Sequence, residues 1–244
     1  MQAHHEPWLT ALFNEHLAGG ANAARSLVGL PADPHPWSTP AAMQVLVAVI
    51  VIVIFAILRP RLSMDQPGVT QHIFELVYKF LHGQAEDQVG HHGPKYLVLF
   101  GTLFLFILFS NLLGTIPTFE SPTMFPEVPL GCALVAFGYY HVVGMQAHGL
   151  GRYLAHFAGP MPWLAPLMVP IELISNLARP LSLTVRLFAN MFAGEQVTLV
   201  FLQLTFLVVP VAFMTLHLFV AFLQAYVFTL LTMVYVAGAT AQEH

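Results

Sequence analysis

The chain has 244 residues, 57% of them hydrophobic and only 8% charged, where soluble domains carry about 45–50% and about 25%. So little charge excludes an ordinary water-soluble domain and makes lipid the main solvent. The net charge of -4 is scattered, without the basic run that would neutralise a phosphate backbone, so nucleic acid is not an expected partner.

Residues 1–40 read as a polar lead segment containing Pro and Gly. It starts without positive charge, and Asn14, Glu15 and His16 interrupt its apolar patch, so no cleavable signal is expected. From residue 41 a single integral membrane domain is expected. Residues 41–58, rich in Val and Ile and closed by Arg59, Pro60 and Arg61, predict a first crossing of about 30 Å of hydrocarbon, which takes roughly 20 helical residues. In residues 67–82, Val69, Ile73, Leu76, Val77, Phe80 and Leu81 recur at helical spacing, while Gln71, His72, Glu75 and Lys79 fall elsewhere. This predicts an amphipathic helix on the membrane surface, with a short soluble helix packed on a partner as the alternative. Residues 96–116, closed by Pro117, and residues 128–146, approached through Pro126 and Pro129, predict two further spans. The sole cysteine, Cys132, lies in the latter and is expected to pack as a small hydrophobe.

Residues 161–194 are apolar but punctuated by Pro162, Pro166, Pro170 and Pro180, and residues 196–242 contain no Lys, Arg, Asp or Glu. The second stretch fits two short spans or one long tilted helix; Pro210 does not decide, because a membrane helix accommodates proline. Positive charge gives the orientation. Arg59, Arg61, Lys79 and Lys95 follow the first span and Arg152 the third, whereas residues 114–128 carry only Glu120 and Glu127. The expectation is therefore an N-terminus outside and residues 147–160 inside, with the C-terminal side set by the number of crossings in the last stretch.

Glu172, Ser175, Arg179, Ser182, Arg186 and Asn190 are spaced by three or four residues, which on a helix puts them in one narrow stripe. In lipid such a stripe must face a partner or a water-filled cavity. Gln203, His217 and Gln224, separated by multiples of seven, are expected near one line on a second helix. Ser175 and Ser182 also fit backbone bonding or helix gluing, and His217 and Gln224 fit helix–helix hydrogen bonds. Arg179, beside Pro180, fits a snorkelling interfacial cation. Arg186 is different. It is flanked by apolar residues, has no acid three or four positions away, and costs roughly 2.5–3.5 kcal/mol at membrane depth without being able to shed its proton. The His4-His5 and His91-His92 pairs, with His141, His148 and His156, form no two-histidine-plus-acid helix motif, so no metal is expected. No phosphate-cradling glycine motif and no Gly-x-Ser-x-Gly is present, so neither nucleotide hydrolysis nor a cofactor is expected within this chain. The residues suit the movement of charge.

The segment Arg179-Pro-Leu-Ser-Leu-Thr-Val-Arg186-Leu-Phe-Ala-Asn190-Met-Phe-Ala-Gly-Glu195 closely resembles the signature of subunit a of F-type ATP synthases, the stator protein facing the rotating c-ring. His217-Leu-Phe-Val-Ala-Phe-Leu-Gln224-Ala-Tyr-Val-Phe resembles the same family's last helix, and Asn111-Leu-Leu-Gly-Thr-Ile-Pro117 its earlier Asn-Leu-Leu-Gly pattern. The resemblance implies an all-α membrane protein: three transmembrane helices, an amphipathic surface helix, and a strongly tilted two-helix hairpin facing the c-ring, near residues 161–194 and 196–240. Arg186 then resembles the essential ion-translocation arginine that meets the rotor carboxylate. Glu195, His217 and Gln224 resemble the half-channel open to the outside, and Glu172, Ser175, Ser182 and Asn190 the cytoplasmic one. Implied with these are a proton as the ion, a c-ring proteolipid oligomer and peripheral-stalk b subunits as partners, a location in the cell's plasma membrane, and a cytoplasmic C-terminus. Two positions depart: Arg179 stands where some relatives have lysine, and Ala178 where a serine can occur. A secondary ion transporter with an intramembrane Arg/Glu site is the rival reading, although the early spans show neither the internal repeats nor the buried charge it would commonly carry.

Overall fold

The computed structural model describes residues 8–27, 29, 31–63, 68–116, 119–151, 153, 165–204 and 208–240. Expectations resting on His4, His5, Pro117, Arg152, His156, Pro162 and Glu243 lie outside the described residues. The described elements are helical: α1 (Trp8–Leu27), α2 (Thr39–Leu58), α3 (Val69–Val89), α4 (Leu97–Leu113), α5 (Glu127–His148), α6 (Ala165–Leu204) and α7 (Val208–Thr240), with short 3-10 turns at Arg59–Arg61, Gly93–Tyr96 and Pro122–Met124. Five of its helical stretches are long and apolar enough to cross a membrane. Glycine ends two helices where a left-handed residue is needed: Gly90 after α3 and Gly149 after α5 both have φ near +80° and donate back into the last turn.

The main core joins α3 to α7. Phe100, Phe104 and Ile107 of α4, Tyr140 of α5, Leu187 and Met191 of α6 and Phe228 of α7 are all fully buried. In α3, Leu81 and Ala85 reach this core, Tyr226 of α7 donates to Gln84, and Phe80 lies against Tyr226. Val69, Ile73 and Leu76 stay exposed on α3, an apolar face turned away from the chain.

Three expectations change. The lead segment contains a 20-residue helix, α1. Asn14, one of the residues that break the apolar patch, exchanges two hydrogen bonds with the Trp37 backbone and Asn22 two with the Asp33 backbone, and together they clamp the following strap onto α1. The amphipathic helix expected near residues 67–82 runs from Val69 on to Val89. The boundary expected at residues 194–196, where charge disappears from the sequence, is not a helix end: α6 continues to Leu204, since the loss of charged residues does not by itself stop a helix and one glycine costs only about 1 kcal/mol. Gln203 therefore sits on α6, off the line of His217 and Gln224 on α7.

A buried polar knot ties α4 to α7. Asn111, fully buried, donates to the carbonyl of Ala221 at 3.1 Å and accepts from the Thr123 hydroxyl at 2.6 Å, while Ser121 donates to the Ser110 carbonyl at 3.0 Å. Asn111→Leu removes both of its bonds from the interior, each worth about 0.5–1.5 kcal/mol net, and leaves the Thr123 hydroxyl with Ser121 alone. The expected result is a thermal midpoint lowered by several degrees in detergent, read by the melting of purified complex.

Candidate functional site

The buried positions of α6, Asn176, Pro180, Leu183, Leu187 and Met191, follow the same three-and-four spacing as the polar stripe but lie about one position further on. The stripe thus occupies an arc of about 80° on the flank of the buried face. Its members face two ways. Ser175, Ser182 and Arg186 are exposed; Glu172 and Arg179 are half-buried toward α5 and α7. Among the described residues Arg186 has neither a hydrogen bond nor an ion pair.

One turn beyond Arg186, the stripe joins α7. Asn190 donates to the Gln224 side-chain carbonyl at 2.8 Å, and Gln224 is 4% exposed. Farther along, Gly194 lies against His217: a Cβ there would stand 2.8 Å from the ring's Cε1 and closer still to its Nδ1. Glu195 is half-buried and His217 is 8% exposed. No direct hydrogen bond joins them; Glu195 Oε2, His217 Nδ1 and Gln224 Nε2 are each buried without a hydrogen-bond partner among the described residues. Buried polar atoms without partners are what an aqueous path leaves along its wall. Glu120, in the loop after α4, is close enough for its charge to act on Glu195. These groups gather toward the loop that the charge rule assigns to the outside.

A second group gathers toward the opposite ends of α5 and α7. Asn176 donates to the Glu172 carbonyl at 3.2 Å and to its carboxylate at 3.1 Å, and its own carbonyl accepts from Tyr140 at 3.0 Å. The Arg179 guanidinium lies over two rings, 5.8 Å from that of Tyr140 and 5.3 Å from that of Tyr235. These side chains line a cavity of about 290 Å³. A helix that carries Pro170 and Pro180 loses two backbone donors, and the packing of α6 on α5 and α7 makes that tolerable.

Two polar clusters on one long helix, one toward each end, with an arginine between them that pairs with none of the described residues, form the geometry of the site. Residues 41–237 match the family described as ATP synthase A chain. The chain is 67% identical over 233 residues to ATP synthase subunit a of Solibacter usitatus, covering 96% of this chain and all of that one. It is 48% identical over 243 residues to ATP synthase subunit a of Koribacter versatilis, covering 98% and 99%. The chain belongs to the ATP synthase subunit a family. As a subunit a it is an integral membrane part of that complex, works with the other ATP synthase subunits, and serves ATP synthesis and ion transport.

Within the subunit a chain, sequence reasoning misses Asn176, Tyr140 and Tyr235. Asn176 was within reach, four residues after Glu172 and so one turn above it. The tyrosines were not, because only the approach of α5 and α7 brings their rings to Arg179. Gly194 carries a signal too, a glycine inside an apolar helix, which commonly marks a close neighbour.

Proposed function

We propose that this chain is the proton-translocating stator of the membrane sector, with Arg186 facing a carboxylate of the c-ring and two offset half-channels meeting beside it. The observation that carries the reading is Arg186 itself. It is a permanent cation on an exposed flank of a membrane helix, without a described partner, between two groups of half-buried polar side chains. A cation so placed is satisfied by an acid from another chain. Facing a rotor carboxylate, it favours the ionised form and so drives proton release, while its fixed charge bars direct passage between the half-channels.

On this reading Glu195, His217 and Gln224 line the half-channel open to the outside, and water bridges the gap between Glu195 and His217. Glu172, Ser175, Ser182 and Asn190 line the cytoplasmic one. The hydrogen bond from Asn190 to Gln224 puts the two sets in contact one turn from Arg186 and supports a narrow divide between them. The N-terminus is outside and the C-terminus in the cytoplasm; α6 and α7 form the tilted hairpin against the ring, and the b subunits hold the chain still. Each proton brings about 2.3 kcal/mol per 100 mV of membrane potential, plus its concentration term, to the rotor.

Ser182 is exposed one turn from Arg186. Ser182→Cys is expected to form a disulfide with a cysteine placed beside the mid-membrane carboxylate of the c-ring proteolipid, seen as a heavier band on a non-reducing gel. No linked product at any rotor position near that carboxylate, in a complex that retains the proteolipid, overturns the reading.

A further inference from the structure

The cavity between α5, α6 and α7 holds two opposite charges that are near one another without pairing. Arg179 makes no ion pair with a described acid, and Glu172 is held instead by Asn176. Tyr153 lies close enough for both charges to act on it. A half-buried guanidinium has a strong incentive to collapse onto such a carboxylate. What stops it is the pair of aromatic faces, each attracting a cation through its ring electrons and together fixing the side chain on the α5–α7 side. Tyr140 also locks Asn176, whose amide is oriented at both ends, so Glu172 is fixed as firmly as Arg179.

Consider the cavity without Arg179. It would present a carboxylate, the Asn176 carbonyl and tyrosine hydroxyls around a space large enough for several waters. Oxygen donors of this kind suit hard monovalent and divalent cations, and a hydrated cation seated there would obstruct proton movement through Glu172. We propose that Arg179, caged by Tyr140 and Tyr235, is a specificity-determining residue that keeps inorganic cations out of the cytoplasmic mouth of the half-channel. A proton crosses such a mouth as a shift of bonds along water and carboxylate, so a fixed positive charge hinders it far less than it hinders an ion that must move bodily. The inference rests on the proposed half-channel and adds to it the cage and its selectivity.

The test uses the whole complex in vesicles with the cytoplasmic face outward, pumping protons at fixed ionic strength in either choline chloride or sodium chloride. The wild-type ratio of the two rates is expected near one. For Arg179→Gln the rate in sodium is expected to fall roughly tenfold below that in choline, since one unit charge removed from a half-buried site changes cation occupancy by at least that factor. Arg179→Lys, which restores the charge, brings the ratio back toward one. Tyr235→Leu frees the guanidinium to reach Glu172 and is expected to slow pumping in both salts, with Tyr235→Phe restoring it. A ratio near one for Arg179→Gln overturns the proposal. Normal pumping by Tyr235→Leu overturns it too, whether or not the glutamine variant assembles. Arg186 separates the two readings: a salt-indifferent Arg179→Gln beside an inactive Arg186→Ala removes only the cation filter, whereas normal pumping by Arg186→Ala removes the half-channel reading itself.

Discussion

Arg186→Ala is expected to abolish ATP-driven proton pumping, with a loss of about a hundredfold or more, while the complex still assembles. Assembly is spared because the side chain holds nothing in place: it is exposed and makes no bond to the described residues, whereas the neighbouring core positions Leu187 and Met191 are fully buried. Pumping is lost because no other cation stands in that stretch of the helix; Arg179, two turns away, is engaged by two tyrosines. Arg186→Lys keeps a charge but not the planar, spread guanidinium, and its rate is expected to fall by roughly tenfold or more. Fluorescence quenching of a pH dye in reconstituted vesicles measures both. Assembly is read from retention of the proteolipid during purification.

Gly194→Val is expected to reduce pumping by about tenfold or more for a different reason. Any Cβ at this position meets the imidazole of His217, and a branched side chain fills the space the ring occupies. His217 is nearly fully buried, so the ring has little room to retreat, and overpacking of this kind costs about 1–3 kcal/mol. The double variant Gly194→Val with His217→Ala separates packing from proton transfer. It should recover assembly and thermal stability without recovering pumping, because on the proposed route the proton passes through this imidazole. Recovery of pumping in the double variant would remove His217 from the route.

Much of this was readable in the chain, and the limits have physical causes. The helices α2, α4 and α5 lie within a few residues of the apolar runs 41–58, 96–116 and 128–146, because each run is long and bounded by charge, proline or glycine. The stripe from Glu172 to Asn190 does lie on one side of α6, since periodicity is a local property. The boundary at residues 194–196 is drawn where charge disappears from the sequence, but α6 runs on to Leu204, because a loss of charge does not end a helix whose next turns stay apolar. The α1 helix is missed because Asn14 looks like an interruption until its partner, Trp37, is folded back against it. The pairings of Asn190 with Gln224 and Asn111 with Ala221 join residues 34 and 110 positions apart, and no local pattern announces such contacts.

The surface beside Arg186 on the same flank of α6 includes Ala189 and Ala193, both exposed and neither able to form a side-chain hydrogen bond. A neighbour gliding over it meets aliphatic carbon whose attraction hardly changes from one angle to the next. On the proposed reading, resistance to turning is then concentrated at the polar groups of the stripe, Arg186 foremost, and the methyl groups between them behave as a greased bearing. Seeding that strip with serine or asparagine would add drag without touching a charge.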